Sequence, residues 1–337
     1  MPKGHLYLLE GDPGAGKTTL ALQFLLEGRD RGEKCLYCTL SESRAEVLKV
    51  AESHGWSLEG ITLLEMSSGM DAVNGHDQYT VFHPSDIELG ETSRRLFEQV
   101  AKGSPDRVVI DSLSELRLIA HEPLRYRRQI LGMKQYFAHQ GCTVLLLDDR
   151  TAQASDLQPQ SIAHGVIELK RIAAEYGAER RRLRIVKLRG VAFNGGYHDL
   201  AIRTGGLVVF PRIAANDHER TSDDTPASSG MPEFDSLLGG GLDRGTSTLL
   251  TGPAGTGKST LAMTLVQAAA KRGEHTAIFA FEENRRIVLR RAKALGIEYA
   301  SYMESGYIEF RHVVPAELSP GEFAALVREA VEVGGAR

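Results

Sequence analysis

Cysteine is scarce. Three occur in 337 residues, Cys35, Cys38 and Cys142, too few for a disulfide framework. Cys35-x-x-Cys38 sits in the strand-like KCLYCTL with no second pair and no nearby histidine, so it does not complete a zinc site. These are expected to be buried strand cysteines in reducing cytoplasm. No apolar run approaches the ~20 residues of a membrane span, and the N-terminal MPKGHLYLLEGDPG leads straight into a glycine-rich turn with no leader-like stretch. Neither secretion nor membrane insertion is expected. Positive charge is not in excess: 40 Lys and Arg face 44 Asp and Glu, a formal charge of -4. That argues against wrapping nucleic acid as the main task. The eleven histidines show no metal spacing; only Asp71, His76, Asp77 and His83 gather, and they read as a polar surface insertion. The single tryptophan, Trp56, follows the helix-ending Gly55 and reads as packing. The rest is ordinary for a globular chain, with 42% hydrophobic and 25% charged residues, and it is long enough for two domains with cores of their own.

One pattern is written twice. Residues 11–18 read GDPGAGKT and 252–259 read GPAGTGKS, both fitting G-x-x-x-x-G-K-[ST], the P-loop. Each follows an apolar run expected to be a strand (Leu6 to Leu9, then Ser247 to Leu250) and opens a helix-like segment. The glycines let backbone N–H groups turn inward around phosphates, and the helix N-terminus adds partial positive charge. A glycine-rich turn that merely caps a helix would not hold strand, lysine and hydroxyl in register twice. The candidate phosphate cradle is therefore Gly11, Asp12, Pro13, Gly14, Ala15, Gly16, Lys17, Thr18 and Thr19. Its repeat is Gly252, Pro253, Ala254, Gly255, Thr256, Gly257, Lys258, Ser259 and Thr260. The implied ligands are ATP and Mg²⁺, with Lys17 and Lys258 on the β/γ-phosphates and Thr18 and Ser259 as metal ligands.

The duplication extends beyond the loops. With Gly11 laid on Gly252, Gly32-Glu33 falls on Gly273-Glu274, SES (41–43) on EEN (282–284), and Gly55 on Gly296. Copy one continues through RVVIDSLSEL (107–116), a basic helix (124–140), TVLLLDD (143–149), VIELK (166–170), LRIVKLRG (183–190) and LVVF (207–210). Strands alternating with helices and reading as continuous apolar runs predict an α/β fold with a mostly parallel sheet covered on both faces. The late, closely spaced runs predict an antiparallel extension. Copy two has no counterpart of 107–210, so the chain reads as a piece of a longer protein cut inside the second domain. The expected organisation is a first domain at 1–211, a polar linker at 212–229 and the N-terminal part of a second domain at 230–337. The second piece is expected to lack strands and to fold poorly alone.

Asp111 ends an apolar run downstream of the first P-loop, where a carboxylate at the strand tip holds Mg²⁺. Hydrolysis needs a group for the attacking water. Copy two supplies Glu282 and Glu283 after the following strand; copy one supplies Ser41-Glu42, the first acid replaced. Solvated loop acids are the plainer reading of such residues, but recurrence at one place in both copies favours catalysis. Lys187 and Arg189 share a strand face and form either a charge-stabilising pair delivered to a phosphate or a solvated strand end. The residues alone leave these open. The run Arg180-Arg181-Arg182, with Arg184, Lys170 and Arg171, reads as a solvated hairpin facing acids across a subunit contact, given Glu175 and Glu179 alongside, rather than a nucleic-acid loop.

Taken together, GMPEFDSLLGGGLDRG before a P-loop, the two P-loops, TLSESRAE, AFEEN, HGW, VVIDSLSEL, SIAHGVIELKR and RRRLRIVKLRG resemble KaiC-type ATPases of the RecA superfamily. The resemblance covers nearly the whole chain. It implies tandem RecA-like P-loop NTPase domains in a hexameric double ring, with ATP at each subunit boundary. It also implies a catalytic glutamate pair at Ser41-Glu42 and Glu282-Glu283, and trans-acting cations at Lys187 and Arg189. The clock member of that family autophosphorylates a Ser-Thr pair in its second domain. The matching segment of copy two is not in this sequence, and copy one keeps only Ser161 of Gln160-Ser161, so autokinase activity does not carry over. The expected function is a slow, Mg-dependent ATPase serving as a self-assembling signalling or timing scaffold with protein partners the sequence does not name. The rivals are a DNA-stimulated recombinase or helicase ATPase and a non-hydrolysing ATP sensor.

Overall fold

The structure, a computed structural model, describes residues 1–66, 84–120, 122–149, 158–213 and 225–336. The acidic and histidine-bearing stretch at 71–83 and most of the linker lie outside these. The chain divides into two compact units, one of residues 1–174 and 179–212, the other of 175–178 and 213–337.

The first unit begins β1 (Leu6–Gly11), α1 (Lys17–Asp30), β2 (Cys35–Thr39), α2 (Arg44–Ser53), β3 (Ile61–Glu65) and α3 (Pro84–Gly103). It goes on through β4 (Arg107–Asp111), α4 (Leu113–Ala120), α5 (Pro123–Gln140), β5 (Thr143–Asp149) and α6 (Gln158–Ile162). It closes with β6 (Gly165–Ile172), β7 (Arg180–Leu188), β8 (His198–Arg203) and β9 (Gly206–Phe210). Among the described residues these strands make one nine-stranded sheet in the order β3-β2-β4-β5-β1-β6-β7-β8-β9. Every pairing from β3 to β6 is parallel, and those from β6 to β9 are antiparallel. This is the RecA-like α/β fold, with the antiparallel extension expected from the closely spaced late runs.

Alternation along each strand splits the core in two. Leu6, Leu8, Val108, Ile110, Val144 and Leu146 face α3, α4 and α5, meeting Leu116, Ile130 and Phe137. Tyr7, Leu9, Tyr37, Val109, Leu145 and Leu147 face α1 and α2, meeting Leu22, Leu25, Val47 and Ala51. Strands buried on both faces have no polar side to present, which is why they read as unbroken apolar runs. All three cysteines are free and buried. The parallel strands point their carboxyl ends the same way, so the ends of β1, β2, β4 and β5 gather in one crevice.

The second unit contains α7 (Pro232–Leu237), α8 (Lys258–Lys271), β10 (Thr276–Ala280), α9 (Arg285–Ala294), α10 (Tyr299–Glu304), β11 (Ile308–His312) and α11 (Pro320–Glu332). Its core joins Met263, Ala270, Val288, Ala292, Tyr299 and Ile308, and among the described residues its sheet is the parallel pair β10–β11. The strand expected at Ser247–Leu250 is not there: the run joins no sheet and Leu249 is 84% exposed. In the first unit the equivalent strand, β1, bonds to β5 on one side and β6 on the other. The 337 residues hold no second-copy counterpart of either, so this backbone has no ladder to enter.

Candidate nucleotide-binding site

The two P-loops have one conformation. Gly14 and Gly16 take φ of 74 and 104, and Gly255 and Gly257 take 83 and 90, a left-handed region that costs glycine nothing. Each helix starts on the second of these glycines, with Leu20 N–H donating to Gly16 O at 3.0 Å and Leu261 N–H to Gly257 O at 2.9 Å. Lys17 Nζ donates to the carbonyls of Gly11 at 2.9 Å and Asp12 at 3.0 Å. Lys258 Nζ does the same to Gly252 at 2.7 Å and Pro253 at 2.8 Å. The surroundings differ. Lys17 is buried and paired with Asp149 Oδ1 at 2.6 Å, whereas Gly252 to Gly257 and Ser259 are exposed.

At the first loop α1, β2 and β4 meet at one carboxylate oxygen. Thr18 Oγ1 donates to Asp111 Oδ2 at 3.3 Å, and the Tyr37 hydroxyl donates to the same atom at 2.6 Å. The register of β2 on β4 pairs Thr39 with Asp111, so Tyr37 and Asp111 share the α1 face. Burial raises the Asp111 carboxyl above the ordinary aspartate range, with the two hydroxyl hydrogen bonds opposing it and Asp149 adding to it. A hydroxyl and a carboxylate meeting beside a phosphate cradle are the hard oxygen donors that Mg²⁺ takes.

Glu42 stands at the rim, on the turn after β2. The Thr39 hydroxyl accepts from its N–H at 2.9 Å and donates to its carbonyl at 2.7 Å. The next residue, Ser43, caps α2 in a capping box with Glu46. Glu42 Oε2 is buried without a hydrogen-bond partner among the described residues. Its carboxyl is pushed above the usual glutamate range, first by burial and then by Asp111, Glu46 and Asp149. In the second unit Asn284 caps α9 in the same place, but Glu283 is held by Arg291 at 2.9 and 2.5 Å and Glu282 is exposed.

A family model described as the KaiC ATPase matches residues 1–214 and 227–325. The chain belongs to the KaiC ATPase family. It is 27% identical over 335 residues to the circadian clock oscillator protein KaiC of Prochlorococcus marinus (strain MIT 9313), covering 98% of this chain and 66% of that one. The KaiC of Parasynechococcus marenigrum (strain WH8102) is 28% identical over 92% of this chain and 60% of its own length. The circadian clock protein KaiC3 of a Synechocystis strain is 25% identical, over 92% and 62%. The chain thus spans about three fifths of the curated relatives it matches.

The cations that the KaiC resemblance makes trans-acting are away from this crevice. Lys187 is level with Val166, and Val166 with Leu8, which puts Lys187 about 10 Å of strand from Gly11 at about 3.3 Å per residue, and Arg189, two residues further away, about 17 Å. Lys187 Nζ donates to the carbonyls of Gln160 at 2.6 Å and Ser161 at 3.3 Å, and Arg189 Nη2 to Ser161 O at 3.0 Å. Neither forms an ion pair with a carboxylate among the described residues. Burial, Arg189 and Lys134 lower the Lys187 ammonium below the usual lysine range. The basic run differs from its expected form. Arg182 pairs with Asp199 at 3.0 Å, Arg184 with Glu168 and Arg171 with Glu179, so these acids belong to its own chain.

Two residues of the KaiC-family crevice were missed in the sequence: Tyr37, the partner of Asp111, and Asp149, the partner of Lys17. For Asp149 a signal existed, since it ends an apolar strand run as Asp111 does. For Tyr37, mid-strand among apolar residues, there was none. No helix among the described residues is long and apolar enough to cross a membrane.

Proposed function

We propose that this chain binds Mg-ATP at residues 11–19 and hydrolyses it slowly, as a self-assembling, KaiC-like signalling or timing scaffold whose first site is completed by a neighbouring subunit. The observation that carries this is the unpartnered, buried Glu42 Oε2 facing the crevice that holds Lys17, Thr18 and Asp111. A carboxylate oxygen kept free beside a P-loop is in place to orient and deprotonate a water molecule.

In this reading the loop N–H groups hold the phosphates and Lys17 moves from its loop carbonyls and Asp149 to the β/γ-phosphates. Thr18 Oγ1 and Asp111 would hold Mg²⁺, which when bound would neutralise charge on the transferring phosphoryl group. Glu42 takes the water proton at Oε2. Lys187 and Arg189, without a carboxylate partner among the described residues and too far along the sheet to serve their own loop, suit the outer phosphate on an adjoining protomer. A closed ring, six-membered in the family, would bring them there.

The same assignment extends to Gly252 to Thr260, with Ser259 on the metal and Glu282 and Glu283 on the water; there Glu283 must first leave Arg291. Residues 1–211 form the first ATPase domain, 230–337 the start of a second, and 212–229 the link between them. Autophosphorylation is not part of the proposal. A net charge of -4 disfavours nucleic acid as partner.

The test is phosphate release over a range of protein concentrations, with and without DNA. Mg-dependent release that rises with assembly, ignores DNA and disappears in the double variant Lys17→Ala, Lys258→Ala is expected. DNA stimulation would favour the recombinase or helicase reading. Tight ATP binding without any release would favour the sensor, the reading that the serine at position 41 supports.

A further inference from the structure

Where β6 and β7 run past the first P-loop, two arginines stand over it. Gly11, the last residue of β1, is level with Leu169 of β6, and Leu169 with Leu183 of β7. Beyond that level Arg171 and Arg181 lie directly opposite each other. Side chains alternate along a strand, and Leu169 belongs to the core that packs α1, so Arg171 projects on the P-loop side. The result shows at Gly14. A Cβ built there would lie 3.0 Å from Arg171 Nη1, and Arg181 Nε donates to the Gly14 carbonyl at 3.4 Å.

Two guanidinium groups facing each other need a counter-charge, and one carboxylate provides it. Glu179 takes Arg171 in a two-bonded grip, Nε at 2.8 Å and Nη2 at 2.5 Å, and lies 3.9 Å from Arg181 Nη2. The balance leaves positive charge in excess over a loop built for anions. Arg171 and Glu179 are each 42% exposed, and ion pairs that wet contribute little to holding a sheet together. A planar guanidinium is instead suited to gripping a phosphate through two parallel hydrogen bonds.

We propose that Arg171 is a further nucleotide-binding residue of the first site. It acts within its own chain on the outermost phosphate of a nucleoside triphosphate, with Arg181 beside it, and Glu179 holds it when that phosphate is absent. The exchange of one carboxylate for a more highly charged phosphate makes the site prefer triphosphate over diphosphate. This contact is distinct from Lys187 and Arg189, which sit toward the other end of β7. It rests on the reading of residues 11–19 as an ATP site.

The experiment measures equilibrium binding of fluorescent ATP and ADP analogues, with Mg²⁺, to the full chain carrying Lys258→Ala, which confines the signal to the first loop. Arg171→Ala is expected to raise Kd for ATP about tenfold, the loss of one charge-assisted contact, while Kd for ADP moves less than twofold. Arg171→Lys should fall between, and Glu179→Gln should shift the ratio toward ATP. An ATP-to-ADP ratio unchanged in Arg171→Ala, or both constants rising together, overturns the proposal. Should Arg171→Ala not fold, Glu179→Gln decides alone, a ratio shifted toward ATP sustaining it and an unchanged ratio overturning it. A chain that still binds ATP after Lys17→Ala overturns instead the site reading on which the inference stands.

Discussion

The Tyr37 hydroxyl donates to Asp111 Oδ2 at 2.6 Å, the same oxygen that Thr18 Oγ1 reaches at 3.3 Å. Tyr37 is buried and its proton is held well above the ordinary tyrosine range, by burial first and then by the Asp111 charge. It therefore remains a donor at any working pH and keeps the Asp111 carboxylate turned toward Thr18. Tyr37→Phe should cost about 1.5–3 kcal/mol, the scale of a lost hydrogen bond to a charged group. It should also raise the Mg²⁺ concentration needed for half-maximal hydrolysis. A melting curve and a Mg²⁺ titration check both; a variant matching wild type in each would remove Tyr37 from the site.

Glu42→Gln should lower phosphate release from the first site by about 10²-fold or more, the usual scale for a lost general base, with ATP binding retained. The sign of the pH effect follows from the raised carboxyl. A base works deprotonated, so the wild-type rate climbs with pH through a range above that of an ordinary glutamate, and the variant lacks this limb. Rate profiles of both proteins in the Lys258→Ala background measure it.

Sharing of the site between subunits is tested by mixing. With Lys258→Ala throughout, Lys17→Ala subunits lack a working loop, and Lys187→Ala, Arg189→Ala subunits lack the cations. Each alone should be inactive, while a mixture should regain part of the hydrolysis at boundaries where an intact loop meets intact cations. Recovery absent from mixed assemblies of confirmed composition would mean that Lys187 and Arg189 do not act across the boundary.

Asp148 makes stability fall as pH rises. Its Oδ1 is buried without a hydrogen-bond partner among the described residues, and burial pushes its carboxyl up to about 6 although Arg117 lies 2.6 Å away. In the unfolded chain an aspartate releases its proton near about 3.9. Between these values the folded state holds more protons, so its stability declines through that window. Asp148→Asn should gain on wild type in melting temperature between pH 4 and pH 7. Parallel curves for the two proteins would contradict this.

What could be read ahead of the structure was what is local. The P-loop conformation is set by glycines and a lysine within eight positions, and both copies adopt it although Ala15 and Lys17 are buried in the first and Gly252 to Gly257 are all exposed in the second. The parallel core was legible for a related reason, since strands covered on both faces leave no polar side. Asp111 and Glu42 could be named because Asp111 ends its strand and Glu42 lies on the turn just after one. Tyr37 could not, because its meeting with Asp111 depends on β2 lying beside β4, a pairing across 74 positions.

The strand that failed to form at Ser247–Leu250 shows the division plainly. Its apolar residues made it a candidate by themselves, but a strand exists only when neighbours accept its backbone hydrogen bonds. The sequence alone determined the two loops and the chemistry they suit, and its motifs carried the resemblance that names the family. Strand order decided which groups meet. It set Tyr37 against Asp111, drew Lys17 to Asp149, hung Arg171 over Gly14 and carried Lys187 away from its own loop. Ladder pairing and side-chain alternation act across the whole sheet, and no short window of residues contains them.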